Sequence, residues 1–503
     1  MKFKHVFLVA LVGLALRILL DFLLYRDGYF YGKPWDTFTR TYLAWQWARN
    51  PYFAPADYFW LPLQFWLVGL AFRLITPWME TSSLIVPVAI NHLLLGGSLA
   101  ITYWVATKLG GRLAGWLSVL LAVTLTGDVW VTYSALSEPL SIFLNLGTSA
   151  LLLTWKETNS AGHKKIVLMI GLMVFLASAT HYVGWFLSLF MILFFGGHVS
   201  RRFASRDRIT VNGYRYAWLR SLMPYGIAFA LILIFPLYWL YLNWAEFGNS
   251  LHFASLSAAY QASYSGQRSW LYRSAAPFLA TWENAPGLIV SGTFSVPLVL
   301  YWKGWHWGVY LLPALFNFLV LAASSALALS APDQEPRYMV MYIWVLLPFV
   351  ASIIVQLLSN DAAARRVLGL GLAAFLLVLG TVQSFSYFNS FDANVRLAGL
   401  AAGRWLVSHG ESERIVIEDQ GFAERMVIPI VAGYPDRFVP VSGIEMLAAA
   451  SGQSSTDSQV KHPLMTSALW IIRSKEIFQS VEAYVSLKQR FGSYRFVTLA
   501  AAQ

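Results

Sequence analysis

The sequence contains no cysteine. Disulfides, thiolate metal sites and cysteine nucleophiles are therefore excluded, and the redox state of its compartment leaves no mark on it. Charge is also scarce: 12% of the 503 residues are Asp, Glu, Lys or Arg, against 57% that are hydrophobic. No Gly-rich phosphate-binding fingerprint occurs in residues 385–503. No internal repeat is visible, so an inverted-repeat transporter gains no support.

What fills the chain instead is apolar runs of roughly 17–25 residues, the length that crosses a bilayer. They fall near 5–24, 84–107, 113–127, 138–155, 166–180, 182–199, 221–243, 286–302, 306–328, 338–358 and 366–384. With 22 Trp and 25 Tyr beside them, this is the composition of a polytopic membrane protein, because no soluble core needs so many such runs. The first run, 6–24, lacks a small-residue cleavage site and reads as an uncleaved signal anchor.

The formal net charge is +11. Residues 385–503 hold 11 basic and 11 acidic residues, so the whole excess lies in 1–384, spread over short loops. A nucleic-acid binder concentrates its charge on a soluble face; here the distribution is an orientation signal. Lys2 and Lys4 set the N-terminus in the cytoplasm. If the apolar stretch 60–77 does not cross, Lys108 and Arg112, then Lys156, Lys164 and Lys165, fall inside as well. Arg201, Arg202, Arg206 and Arg208, then Lys303, then Arg365 and Arg366 do the same. If it crosses, every one of those loops flips outward, against the positive-inside bias. The stretch 58–75, with Tyr58, Phe59, Trp60, Phe65 and Trp66, is therefore expected to be a helix in the outer interface.

The expected fold is an all-α polytopic membrane domain of about eleven spans over 1–384, followed by a small α/β domain over 385–503 outside the membrane. In that domain a helix-like stretch precedes strand-like RIVIED, a helical turn and strand-like RFVPVS. Strand-like ALWIIR, a helical EIFQSVEAYVSLKQRFG and a terminal strand-like YRFVTLA follow. The stretch 451–459 reads as a polar loop.

The polar groups able to do chemistry gather on one side of this topology. Asp36, between Trp35 and Thr37, follows the first span. A carboxylate there is placed to take a proton; it also opens the periodic run DTFTRTYLAW, where Asp is a favoured N-cap. Asp57 precedes the interfacial stretch and reads as a cap. Asp128 and Glu138 bracket a short outer turn, and Glu138 complements a helix N-terminus. His181, beside Tyr182, stands at a helix boundary, either a hydrogen-bonded interface residue or a base. Arg337 and Tyr338 end the outer loop APDQEPRY; the guanidinium either binds a lipid phosphate or anchors at the interface with its stem in the membrane. Arg17 and Asp21, four apart in the first span, are spaced to pair. In the long loop 245–285, His252, Arg268, Tyr272 and Arg273 are further candidates for phosphate or sugar. Convergent carboxylates could hold a divalent cation, Mg or Mn, but the DxD or ExD spacing of a metal–phosphate site is missing, and no cofactor is certain.

Four features in one order and on one side carry a likeness. An aspartate follows the first span, in Trp35-Asp36, ahead of Phe59-Trp60-Leu61-Pro62-Leu63. Ser137-Glu138-Pro139-Leu140 opens a span. A late outer loop ends in Arg337-Tyr338, and a small α/β domain follows the last span. Together they resemble the GT-C integral-membrane glycosyltransferases, in particular the dolichyl-phosphate-mannose mannosyltransferase and aminoarabinose-transferase-like branch. The pattern departs from that family where Asp36 is followed by Thr37, where Asn91-His92 replace an arginine, and where a Pro-Pro pair is reduced to Pro62.

The resemblance implies transfer of a monosaccharide from a polyprenyl- or dolichyl-phosphate donor to an acceptor hydroxyl outside the membrane, usually with inversion. Asp36 is then the base and Arg337 the counter-charge to the leaving phosphate. Tyr338, Glu138, Asp128, His181 and Asp57 are expected to bind substrate. The acceptor would be a lipid, polysaccharide or protein, the other partners membrane lipids rather than nucleic acid, and the location the plasma membrane. Two other readings are a transporter or flippase of a lipid-linked saccharide and a non-catalytic membrane scaffold.

Overall fold

The computed structural model describes residues 3–24, 36–53, 60–75, 84–125, 136–158, 160–204, 215–265, 268–327, 336–389, 401–407, 415–418, 428–433, 437–441, 469–472, 479, 485–491 and 494–499. Asp57, Asp128 and the stretch 451–459 lie outside the described residues. The chain forms two compact units, one of Met1–Gly32, Tyr52–Gln64 and Ile90–Asn389, the other of Lys33–Pro51, Phe65–Ala89 and Ser390–Gln503.

All eleven apolar runs are built mainly of helix. Among the described residues seven helices are long and apolar enough to cross a membrane, or nine if each of two bent pairs is one span. With the apolar composition this makes the chain an integral membrane protein. In chain order the helices begin with α1 (Phe3–Leu24), α2 (Asp36–Arg49), α3 (Leu63–Ile75), α4 (Ile85–Val123) and α5 (Glu138–Glu157). Next are α6 (Ser160–Thr180), α7 (Val183–Ala204), α8 (Arg215–Phe247), α9 (His252–Ser265), α10 (Trp270–Asn284) and α11 (Pro286–Lys303). The last are α12 (Gly308–Ala326), α13 (Val340–Trp344), α14 (Leu347–Leu358) and α15 (Ala363–Asn389).

The count of eleven runs is accounted for by two helices. The 39 residues of α4 would measure about 58 Å at 1.5 Å per residue, nearly twice a hydrocarbon core. The helix is broken at Gly111, whose φ of 84° and ψ of −179° suit a residue without Cβ. Across the break the rings of Tyr103 and Trp116 meet at 6.3 Å, so the two arms fold back on each other and carry two of the runs. The second case, α5, has 20 residues, enough for a span, but buries Glu138, Ser141, Asn145 and Thr148 along one stripe. Inside the unit Asn145 is met by Asn317 of α12, whose Nδ2 donates to Asn145 Oδ1 at 3.3 Å.

The α10–α11 pair bends by 106° at Ala285-Pro286, since the residue before a proline avoids helical geometry while proline suits a first turn. Ser269 starts α10 by accepting from the Tyr272 backbone at 3.2 Å. The expected loop 245–285 is thus largely the end of α8 with α9 and α10. Its candidates make local contacts: His252 stacks on Phe247 with ring centroids 4.0 Å apart, and Arg268 lies 4.8 Å over the Tyr272 ring.

In the stretch 60–77 the helix α3 has only 13 residues, about 20 Å and short of a hydrocarbon core. In the second unit it packs on α2. Phe72 meets Trp45 edge-on at 5.5 Å, and a Cβ on Gly69 would fall 2.8 Å from the Ala44 carbonyl.

The second unit also holds a five-stranded sheet in the order β2-β1-β3-β5-β4. Its strands are β1 (Ile415–Glu418), β2 (Phe438–Val441), β3 (Leu469–Ile472), β4 (Val485–Phe491) and β5 (Tyr494–Leu499). β1 pairs in parallel with β2 and β3, and β5 runs antiparallel to β3 and β4. The continuous burial of β1 and β3 is what a strand covered on both faces requires. Ala402, Leu406, Ile428 and Ala432 complete that core beside Ile415, Ile417, Leu469 and Ile471.

One expectation fails here. The stretch 476–492 is expected to be helical, yet its end is β4. Residues 485–488 alternate Val-Ser-Leu-Lys, a period-two pattern, and pairing with Tyr494–Leu499, with a register shift between Leu487 and Gln489, joins the segment in a hairpin. Tertiary pairing outweighs the helical propensity of the preceding segment.

Candidate active site

Four of the seven residues singled out from the sequence meet in the first unit. Glu138, His181, Arg337 and Tyr338 line one cavity of about 20 Å³ with Ser141, Ile142, Val183 and Met341. That is room for a water molecule.

Each arrives by a different local device. Glu138 is the first residue of α5, followed by Pro139, so its carboxylate sits at the positive end of the helix dipole. His181 fills the turn between α6 and α7, and its Nδ1 accepts from the Val183 backbone at 3.2 Å. That bond leaves the ring proton of a neutral imidazole on Nε2. The turn is tight: a Cβ on Gly184 would lie 2.2 Å from the Ala177 carbonyl oxygen, so only glycine fits. Beside it Tyr182 stacks on Phe253 at 4.6 Å. Arg337 and Tyr338 lie in the 3-10 turn Pro336–Met339 that leads into α13.

The strongest contact is electrostatic. Arg337 Nε stands 2.8 Å from Glu138 Oε1, with side chains 4% and 8% exposed. Arg337 also lies 5.4 Å over the Tyr338 ring, and the His181 ring meets Tyr338 edge-on at 5.1 Å. The cation is thus held between a carboxylate and an aromatic face. Glu138 Oε2 is buried with no hydrogen-bond partner among the described residues. A buried carboxylate oxygen left so is costly unless water or a ligand hydroxyl reaches it. The site offers a fixed guanidinium, an imidazole and one carboxylate oxygen with spare accepting capacity, a set that suits an anion carrying hydroxyl groups.

The remaining three are not among the described residues that line the cavity. Asp36 is the first residue of α2 in the second unit, with Thr37, Phe38, Thr39 and Arg40 buried behind it; the expected helix start is there. Asp57 and Asp128 lie outside the described residues.

No protein-family model matches the chain, and no curated protein matches it significantly. Its likeness is to solved structures. ArnT from Cupriavidus metallidurans bound to undecaprenyl phosphate matches with a TM-score of 0.59 at 12% identity, over 98% of each chain. Archaeal oligosaccharyltransferase AglB from Archaeoglobus fulgidus, in complex with an inhibitory peptide and a dolichol-phosphate, matches at 0.51. There the identity is 11%, over 94% of this chain and 70% of that one. The Archaeoglobus fulgidus oligosaccharyltransferase complex with Zn and sulfate matches at 0.50, with 11% identity over 95% and 71%. The chain has the GT-C fold.

Within this GT-C chain, sequence reasoning missed two groupings. Arg17 and Asp21 pair as their spacing suggests, at 3.1 Å, but Asp21 also binds His92 Nε2 at 3.0 Å. The Asn145–Asn317 contact is the second. Helical spacing reports which residues share a face and says nothing of which distant helix lies opposite. A polar residue inside an apolar run was the available signal for Asn145, Asn317 and His92.

Proposed function

We propose that the chain is a membrane glycosyltransferase that moves a monosaccharide from a polyprenyl-phosphate donor to an acceptor hydroxyl on the extracytoplasmic face. The observation that carries this reading is the buried Arg337, held by Glu138 beside His181 in one cavity, within a GT-C fold. The undecaprenyl phosphate and dolichol-phosphate bound by two similar structures belong to those proteins and support the same class of donor here.

In the proposed reaction the acceptor oxygen attacks the anomeric carbon from the face opposite the phosphate. A C–O bond forms, the bond from that carbon to the phosphate oxygen breaks, and configuration inverts. Asp36 takes the proton from the acceptor hydroxyl. The departing polyprenyl phosphate keeps the electron pair, and Arg337 compensates the added charge. The imidazole Nε2–H of His181 adds a neutral donor, while Glu138 orients the guanidinium and presents Oε2 to a sugar hydroxyl. Tyr338 covers the cation with its ring.

Among the described residues no group of three His, Asp or Glu is placed to hold a metal ion. The N-terminus is assigned to the cytoplasm and the sheet-bearing C-terminal region to the outside of the plasma membrane. The acceptor is a lipid, a polysaccharide or a protein.

A transporter of lipid-linked saccharide is the second reading. The observation favouring it is the Arg17–Asp21–His92 group buried within the spanning α1 and α4, since transport paths use ionisable groups within the membrane.

Binding of undecaprenyl phosphate to the detergent-solubilised chain tests the donor site. Arg337→Lys keeps the charge and loses the planar fork, and should weaken binding about tenfold. Equal affinity of the two proteins, or no binding by the wild type, would remove Arg337 from this role.

A further inference from the structure

Outside the residues that line the Arg337 cavity, Arg17, Asp21 and His92 form a buried ionic group among the described residues of the first unit. Arg17 and Asp21 of α1 are 0% exposed and His92 of α4 is 7% exposed. Asp21 serves both neighbours, with Oδ1 3.1 Å from Arg17 Nε and Oδ2 3.0 Å from His92 Nε2. Arg17 Nη1 donates to the Val123 carbonyl at 2.7 Å. That carbonyl ends the second arm of α4, where helix carbonyls lack helical partners and the dipole is negative. Because α4 folds back at Gly111, His92 on one arm and Val123 on the other are both tied to α1. The group is a staple that closes the hairpin opposite its bend.

The staple is connected to the cavity through the next residue. Asn91, 0% exposed, donates Nδ2 to the Leu136 carbonyl at 3.3 Å. Leu136 and Ser137 precede Glu138 directly, and the Ser141 amide donates to the Ser137 carbonyl at 3.0 Å to start α5. Ser137 makes no side-chain cap of its own. The turn that presents Glu138 to Arg337 is therefore fastened to an arm of α4 that a buried ionic group holds in place. Breaking such a group leaves a charge uncompensated in a low-dielectric interior, so the arm has one favoured position.

We infer that Asp21, His92 and Asn91 are positioning residues for the Glu138–Arg337 pair. Their task is to set the height of the first turn of α5 and thereby the affinity for the donor phosphate. The second half of this inference rests on the proposed donor. The contact being positioned is a 2.8 Å ion pair, and displacement by about 1 Å is enough to undo such geometry.

Two readouts on the full chain test it. In hydrogen exchange, Asn91→Leu should speed exchange of amides 140–144 while other helices keep their rates; unchanged rates there overturn the anchor. In titrations with undecaprenyl phosphate, Asn91→Leu and His92→Leu should each raise the Kd roughly tenfold, and His92→Gln, which keeps a nitrogen donor, should restore it. A merely structural role would lower the amount of folded protein and leave the Kd unchanged. Adding Asn91→Leu to Glu138→Ala should raise the Kd no further, because both act on one contact; additive effects overturn the coupling. If the wild type binds no undecaprenyl phosphate, the donor reading falls with the affinity claim, and the exchange result alone decides the anchor.

Discussion

Arg337 Nε and Glu138 Oε1 stand 2.8 Å apart, with both side chains more than nine-tenths buried. The two come from the start of α5 and the turn before α13. A buried pair of this kind contributes little net stability, because desolvation offsets the attraction, but losing one partner is expensive. Glu138→Leu should therefore destabilise the chain by about 3–5 kcal/mol. The double variant Glu138→Leu with Arg337→Met, apolar at both positions, should recover most of that loss. Thermal unfolding in detergent measures both. If the double variant is as unstable as the single one, the cost does not arise from an orphaned guanidinium.

Two glycines separate backbone strain from crowding. At Gly111 the φ is 84° with ψ at −179°, a region essentially confined to glycine, and a Cβ would meet nothing within 4 Å, so Gly111→Ala should cost only the backbone penalty, about 1–3 kcal/mol. At Gly184 a Cβ would sit 2.2 Å from the Ala177 carbonyl oxygen. Gly184→Ala must move backbone at the turn that carries His181, and should lower the melting temperature more than Gly111→Ala does. The reverse order would mean that the α6–α7 turn is looser than its contacts indicate.

Sidedness follows from α3. Since the chain has no cysteine, single cysteines at Thr37, Ser82 and Ser454 report exposure to an impermeant thiol reagent in intact cells. Labelling at all three is expected if the stretch 60–77 returns to the side it came from. Labelling at 37 with protection at 82 would mean that it spans, and the positive-inside assignment of every later loop would fail.

The helical architecture was legible because a bilayer imposes one dominant pattern, an apolar run long enough to cross, and all eleven runs became mainly helix. The ends of those runs were legible too. Glu138, His181, Arg337 and Tyr338 each mark a place where an apolar run meets a polar turn. Their convergence was not, because residues at the ends of α5, α6 and the 3-10 turn at Pro336–Met339 become neighbours only through the packing of the helices. The same limit hid His92: spacing on one helix suggested the Arg17–Asp21 pair, and only the folded hairpin of α4 brings His92 to it. β4 was lost for another reason. A short alternating strand after a helix-like segment is decided by its partner strand, and here that partner, β5, comes later in the chain.

The proposed reaction is glycosyl transfer from a lipid phosphate with Asp36 as base. Free polyprenyl phosphate is the product common to any sugar and any acceptor, so its release decides whether transfer occurs. It would be followed in cell-envelope membranes supplied with polyprenyl-phosphate monosaccharides, comparing wild type with Asp36→Asn at equal folded protein. The wild type should release free polyprenyl phosphate, and release by the variant should fall by about 10²–10⁴-fold. Equal release by both proteins would remove Asp36 from the mechanism. Movement of the donor across the membrane with its sugar–phosphate bond intact would contradict transfer and leave the transporter reading in its place.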